Sequence, residues 1–462
     1  MIKKLKPVII MGSVALALII IYVLLRVFLP SVENSDEKVN SIEIFNFQAN
    51  SVLSCQIDNK KDSYTILRKV EKTYKIKGKE DCPVDDTSVY DFLEEFSSLS
   101  AVKLIEENSE KLDDYGLQEA GATMVVSTKN KNYKIEIGNE STSGSYYFKL
   151  GDNNNVYLLD SDFAEKVLNT RNQFYDSSFS KYSSDDEKSL MNITFFGKLR
   201  NETVKIKQVA TQDEQQEDGI YTHQIISPIS HPYSTAHLSA LTGMLSSLST
   251  ATVVSDDVSD KSLEKYGLKD PNYAVTYTLT GGDETLLIGK SAQNDQTYVM
   301  IKGRKLINKI DDTTIACVKN GLKSMCEPIT YQRDVDTISS IRILSDKKNY
   351  SIALSGTGEN TVAKINGKTV LQENFAEFYA HIISIKAGDV DTMPKNAKAL
   401  VTLEITTKDG ERETVKYYNI NERKCLYTLN GEGIFTVDRS SVENIVSNAQ
   451  KLYNEQPIVQ EW

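Results

Sequence analysis

The feature that most constrains this chain is a helical stripe written three times. Aligning Ser97-Ser98-Leu99 with Ser246-Ser247-Leu248 and with Ile383-Ser384-Ile385 brings three apolar sets into gapless register: Val89, Phe92, Phe96, Leu99; Leu238, Leu241, Leu245, Leu248; and Phe375, Phe378, Ile382, Ile385. The spacing i, i+3, i+7, i+10 is the buried face of an amphipathic helix. Successive copies are offset by 149 and 137 residues. That is the length of a whole domain, whereas solenoid repeats run to roughly 20–50 residues.

Around each stripe the hydrophobic period changes to two. Ile42, Ile44 and Phe45, then Ile193, Phe195 and Phe196, then Ile338, Ile341 and Ile343 open the three copies. A second run follows at residues 64–67, 204–206 and 350–353. These runs are rich in β-branched and aromatic residues, as half-buried strands are. After the helix, Tyr133, Ile135 and Ile137, then Val275, Tyr277 and Leu279, then Val401, Leu403 and Ile405 alternate with polar residues. Strict alternation predicts antiparallel strands with one wet face. The expected unit is β–β–α–β–β–β–β–α, with a further short strand possible before the first helix. The fold class is α+β: three repeated antiparallel-sheet-plus-helices domains. Asp85 or Asp86, Ser234 and Asn374 are the capping candidates for the repeated helix. Leu159-Asp160, Ile310-Asp311 and Val437-Asp438 mark entry into the closing helices.

Upstream, residues 8–25 are uncharged and mostly apolar. At about 1.5 Å per residue they span roughly 27 Å, close to a bilayer's hydrocarbon thickness. Lys3, Lys4 and Lys6 precede the span, which predicts a cytoplasmic N-terminus and an exported remainder. No small-x-small cleavage site follows Leu29, so the span reads as a retained signal-anchor. The expected partition is residues 1–7 cytoplasmic, 8–29 transmembrane, 30–40 linker, and repeat domains at 41–180, 188–325 and 336–456. The span holds no charged residue and no proton or ion path. Gly12, Ser13, Ala15 and Ala17 make a small-residue patch, for which plain tethering is the expected role.

The first 30 residues carry four basic residues and no acid, which leaves 49 basic against 64 acidic residues beyond them, a balance of −15. Such a surface argues against nucleic acid or polyanionic polymers as main partners. Five cysteines, at 55, 82, 317, 326 and 425, have no metal-ligand spacing. Cys55 and Cys82 leave one disulfide open, but small apolar core residues are the expectation.

Between helix and sheet, copy one reads Leu112-Asp113-Asp114-Tyr115-Gly116-Leu117. Copy two reads Leu263-Glu264-Lys265-Tyr266-Gly267-Leu268-Lys269-Asp270-Pro271. A Tyr-Gly-Leu-x-x-Pro loop, then Ile-Gly (Ile137-Gly138, Ile288-Gly289) and a Tyr-bearing strand (Tyr147, Tyr298), resembles the bacterial family called domain of unknown function 4340. Copy one has Ala120 or Gly121 where copy two has Pro271, and copy three has Asp391-Thr392-Met393-Pro394 instead of the loop. Tyr115, Gly116, Leu117, Tyr266, Gly267, Leu268 and Pro271 are thus the candidate family-motif residues. The glycine is expected to supply a positive-φ turn and the leucine to pin the loop to the core. The resemblance implies a neighbourhood of ABC-type permease, ATPase and auxiliary components.

Chemistry is sparsely written. His223, His231 and His237 are close in sequence, but Pro228 and Pro232 break any common helical face. His237 is expected on the polar side, beside core Leu238. No phosphate loop, nucleophile elbow or zincin helix occurs. No catalytic residue, cofactor or metal is assigned. The expected function is a non-catalytic extracytoplasmic scaffold or accessory of an ABC-type transport complex, with a binding module for a neutral glycan or peptide as the alternative.

Overall fold

The computed structural model describes residues 41–151, 153–177, 180–183, 190–210 and 221–458. The expected anchor and its linker, part of the stretch between copies one and two, and the polar stretch Thr211 to Gly219, expected as an exposed hairpin loop, lie outside these residues. Among the described residues, no helix is long and apolar enough to cross a membrane.

The protein is α+β, with three large antiparallel sheets and eight α-helices among the described residues. It divides into two compact units, residues 1–176 and 177–462. The first unit holds an eight-stranded sheet and the second unit holds sheets of nine and eight strands. Apart from short edge strands, all three sheets share one order: third, second, first, fourth, fifth, sixth, seventh strand, the fifth being Asn132–Glu140, Gly282–Ser291 and Arg412–Asn419 and the sixth Tyr146–Leu150, Gln296–Ile301 and Lys424–Leu429. The first and fourth strands are therefore central and antiparallel: Val52–Asn59 beside Ala122–Thr128, Asn192–Phe196 beside Tyr273–Leu279, and Ile338–Ser345 beside Ala399–Thr407. The short third strand is present in every copy, at Thr73–Ile76, His223–Ser227 and Val362–Ile365.

The repeated helices are Asp86–Ser97, Thr235–Ser247 and Gln372–Ser384. Of the twelve stripe residues, eleven are buried and Leu238 is partly buried against the core. Burying a Phe or Leu side chain contributes roughly 1.5–3 kcal/mol each, so the stripe is what holds each helix to its sheet. Asp85 caps the first helix by accepting from the backbone N–H of Thr87 and Ser88, both at 3.1 Å. Ser234 accepts from His237 N–H at 3.3 Å.

Several expectations need correction. Ile42, Ile44 and Phe45 are not the first strand of copy one; that strand is Val52–Asn59, and Ile42–Glu43 pairs with Ser100–Ala101 in a separate two-stranded sheet. Asn374 caps nothing, because the third helix starts at Gln372 with Leu371 before it. Asp311 ends a strand, and the next helix, Ala316–Lys319, begins only after a further turn. Asp438 precedes its helix without a side-chain cap, whereas Asp160 accepts from Asp162 N–H. His237 is buried, against its expected placement on the polar side, and Leu238 is only partly buried, while Leu241, Leu245 and Leu248 keep the expected face. In the stretch 326–336, between the second and third expected domains, Cys326, Thr330 and Tyr331 are buried, and one continuous apolar core runs from Leu190 to Ile458.

Candidate functional site

The family-motif loop is a helix ending. In copy one, Leu112–Tyr115 makes one 3-10 turn, after which Gly116 takes φ 66°. Gly116 N–H donates to Asp113 O at 2.9 Å and Leu117 N–H to Leu112 O at 2.8 Å. In copy two, the helix Asp260–Tyr266 ends at Gly267, φ 73°, with Gly267 N–H on Glu264 O (3.2 Å) and Leu268 N–H on Leu263 O (2.8 Å). This pair of bonds satisfies the last helical carbonyls, and its left-handed residue favours glycine because a Cβ would clash there. The following leucine then folds back onto the body: Leu117 and Leu268 are both buried. Leu268 joins Met300 and Ile307 in a small apolar cluster with Leu263 and Tyr266 against it.

The Ile-Gly element meets the same loop. A Cβ on Gly138 would lie 2.2 Å from Tyr115 O, and one on Gly289 would lie 2.2 Å from Tyr266 O. Both glycines sit where the fifth strand's register shifts, between Ile137 and Glu140 and between Ile288 and Ser291. The motif tyrosines pack edge-on against the tyrosines of the sixth strand: Tyr115 on Tyr147 (4.9 Å, 60°) and Tyr266 on Tyr298 (4.7 Å, 62°). Tyr115 also donates to Glu106 Oε2 at 3.0 Å. Desolvation, and then that carboxylate, raise the Tyr115 hydroxyl above its ordinary pKa. Pro271 lends only its carbonyl, which accepts from Lys198 N–H at 3.1 Å.

In copy three the segment without the motif still pairs with the sheet. Gly388 N–H donates to Thr436 O (2.6 Å), Thr436 N–H to Asp389 O (2.8 Å) and Asp391 N–H to Ile434 O (2.8 Å). Copies one and two place the strands Lys103–Glu106 and Thr252–Ser255 at this edge. Hydrogen bonds from Lys323 (2.7 Å) and Lys424 (3.0 Å) hold the Asp389 carboxyl down at about 2.

The three clustered histidines serve the fold. Their Nε2 atoms face carbonyls, Leu190 O (2.7 Å), Glu327 O (3.0 Å) and Cys317 O (3.0 Å), for His223, His231 and His237 respectively. A carbonyl only accepts, so Nε2 carries the proton and Nδ1 accepts, from Thr222, Tyr427 and Tyr233 hydroxyls. Burial lowers all three pKa values, that of His237 to about 4. Among the described residues no group of three or more His, Cys, Asp or Glu is placed to hold a metal ion. Cys55 and Cys82 are buried, as are Cys317, Cys326 and Cys425.

The profile of a family described as "Domain of unknown function (DUF4340)" matches residues 75–229 and again residues 224–404. The chain belongs to this DUF4340 family. The two matches begin 149 residues apart, the offset of the first two helical stripes. The first match runs from the third strand of the first sheet past the third strand of the second, and the second match from there into the fourth strand of the third sheet, so the sequence family is cut differently from the sheets. No curated protein matches this DUF4340 chain significantly. One solved structure, described as a Ca2+-stabilized adhesin that helps an Antarctic bacterium reach out and bind ice, aligns over 84% of this chain and 90% of its own at 9% identity. Its TM-score of 0.08 carries no argument about fold.

Proposed function

We propose that this DUF4340 chain is a membrane-anchored, non-catalytic extracytoplasmic protein of the bacterial cell envelope, a scaffold or accessory subunit of an ABC-type transport complex. One observation supports this most. The groups that mark the family are spent on helix capping, close backbone packing and Tyr–Tyr contact, twice over, which leaves sheet surfaces as the repeated offering to a partner. The acidic balance of the segment after residue 30 suits a protein partner better than a polyanion. Residues 8–29 would tether three units at 41–180, 188–325 and 336–456.

The test is to purify the full-length chain in mild detergent and identify the membrane proteins that accompany it. An ABC-type permease or ATPase is the expected companion, and recovery of no transporter subunit overturns the reading. Replacing residues 8–25 by an unrelated apolar helix is expected to preserve the complex. Its loss, with the ectodomain still folded and exported, would move the contact to the Gly12–Ala17 patch.

A second reading, a module for a neutral glycan or peptide, is favoured by a cleft of about 570 Å³ beside the copy-one loop. Lys60, Lys61, Glu119, Asn139, Glu140 and Glu165 line it with both charge signs and an amide, a mixture suited to neutral polar ligands.

A further inference from the structure

Each sheet receives its chain through a short segment upstream of the first strand, and all three segments meet one position of the fifth strand. Strand register identifies that position. Tyr133 pairs with Val126, which pairs with Cys55. Glu284 pairs with Tyr277, which pairs with Ile193. Glu413 pairs with Ile405, which pairs with Ile341. In each copy the residue lies two places before a buried core residue of the same strand (Ile135, Leu286, Val415), so it shares the core face and stands at the core's open end.

The contacts there differ in chemistry but not in place. In copy one the Phe47 ring stacks on Tyr133 (4.2 Å, 15°) and Phe45 meets it edge-on (5.1 Å, 72°). The same segment closes the end of the repeated helix, with Phe45 N–H donating to Leu99 O (3.0 Å) and Phe47 N–H to Ser97 O (3.0 Å). In copy two the Lys181 N–H donates to Glu284 Oε2 (2.9 Å), and Ser180 Oγ donates to the same oxygen (2.9 Å). In copy three the Tyr331 hydroxyl donates to Glu413 Oε2 (2.8 Å), and Arg333 donates to Oε1 (3.1 Å). Tyr331 and Arg333 stand as far before Ile343 as Phe45 and Phe47 stand before Ile57, and those two isoleucines occupy the same rung.

We infer that this fifth-strand position is a docking socket, repeated in every copy, whose occupant is the chain segment entering that copy. The geometry closes the end of each core with the incoming chain and makes that segment part of the fold instead of a slack tether. Two chemistries fill the socket. The aromatic stack of copy one is insensitive to salt, whereas the charged pair of copy three, with Arg333 20% and Glu413 18% exposed, weakens as ionic strength rises. The inference does not depend on the proposed function.

The incoming segments carry their own reporters: Lys181 and Arg333 are trypsin sites, and Phe45 and Phe47 are chymotrypsin sites. The full chain is treated with each protease as wild type, Tyr133→Ala, Glu284→Ala and Glu413→Ala, with cleavage mapped by mass spectrometry. Each variant is expected to speed cleavage in its own segment by roughly tenfold and to leave the other two unchanged. Glu404→Gln, which disturbs only an exposed pair with Arg342, is the control and leaves all three segments as they were. Where an alanine variant fails to fold, Glu284→Gln or Glu413→Gln carries the test, since each removes the charge and one acceptor oxygen. Unchanged cleavage in the variant's own segment overturns the inference. So does opening of all three segments together, which marks general destabilisation.

Discussion

The carbonyl oxygen of Tyr266 occupies the space that a side chain on Gly289 would need, 2.2 Å from the site of its Cβ. The contact is backbone against backbone, so no side chain can move aside to relieve it. Gly289→Ala is therefore expected to cost about 3 kcal/mol, the upper end of the range of overpacking in a tight core. Gly138→Ala should do the same in copy one, against Tyr115 O. Gly281→Ala, with open space around it, should stay within about 0.5 kcal/mol of wild type. Urea unfolding of the three variants reads the difference, and equal midpoints for Gly289→Ala and Gly281→Ala would refute it.

Asn308 is fully buried, and neither its amide nitrogen nor its carbonyl oxygen has a partner. It pairs with Val299 in the second sheet, where the third sheet sets Phe435 beside Tyr427. Asn308→Leu removes two unpaired polar atoms and is expected to stabilise the second unit by about 1–3 kcal/mol. A lower melting temperature for this variant would show that the amide is satisfied in solution.

His237 is held neutral, with a folded pKa of about 4 against roughly 6.5 in an unfolded chain. Its folded value is depressed, so the unfolded state takes up the proton first. Stability is thus complete above about pH 6.5 and declines as pH falls toward 4, by about 3 kcal/mol from this residue alone. His223 and His231 shift in the same direction. His237→Gln should flatten the slope of unfolding free energy between pH 6.5 and 4.5, and an unchanged slope would discount the residue.

All five cysteines are buried thiols, and desolvation pushes Cys317 and Cys425 up to about 11 and Cys326 up to about 12. Thiolate is the reactive form, so the native protein is expected to resist a maleimide at pH 7.5 and to yield five thiols once denatured without reductant. Fewer than five would reveal a disulfide, with Cys55 and Cys82 the pair to check.

The repeated helices were legible because their stripes need only periodicity, and the second strands because β-branched alternation survives in each copy. The first strand of copy one was misplaced for a physical reason. Ile42, Ile44 and Phe45 alternate like a strand, yet Ile42 is exposed in a separate two-stranded pair and Phe45 packs on Tyr133 at the end of the core. His237 was placed on the polar side because it adjoins Leu238, yet two hydrogen bonds make the imidazole acceptable inside. At the family loop, the positive-φ glycine and the anchoring leucine follow from local sterics. The reason for Gly138 and Gly289 does not, since it lies in a carbonyl more than twenty residues upstream.

By itself the sequence determined what short-range physics can decide: three units of one pattern, the buried faces of their helices, the left-handed turns and an acidic balance. Tertiary structure alone decided that a tyrosine and two glutamates, Tyr133, Glu284 and Glu413, share one task, that the clustered histidines bond carbonyls, and that residues 326–336 are packed into a core. Period and turn chemistry act between neighbours along the chain and are written there directly. Stacking and a buried carboxylate can fill the same place in a sheet, so their equivalence exists only in strand register, which no single stretch of sequence contains.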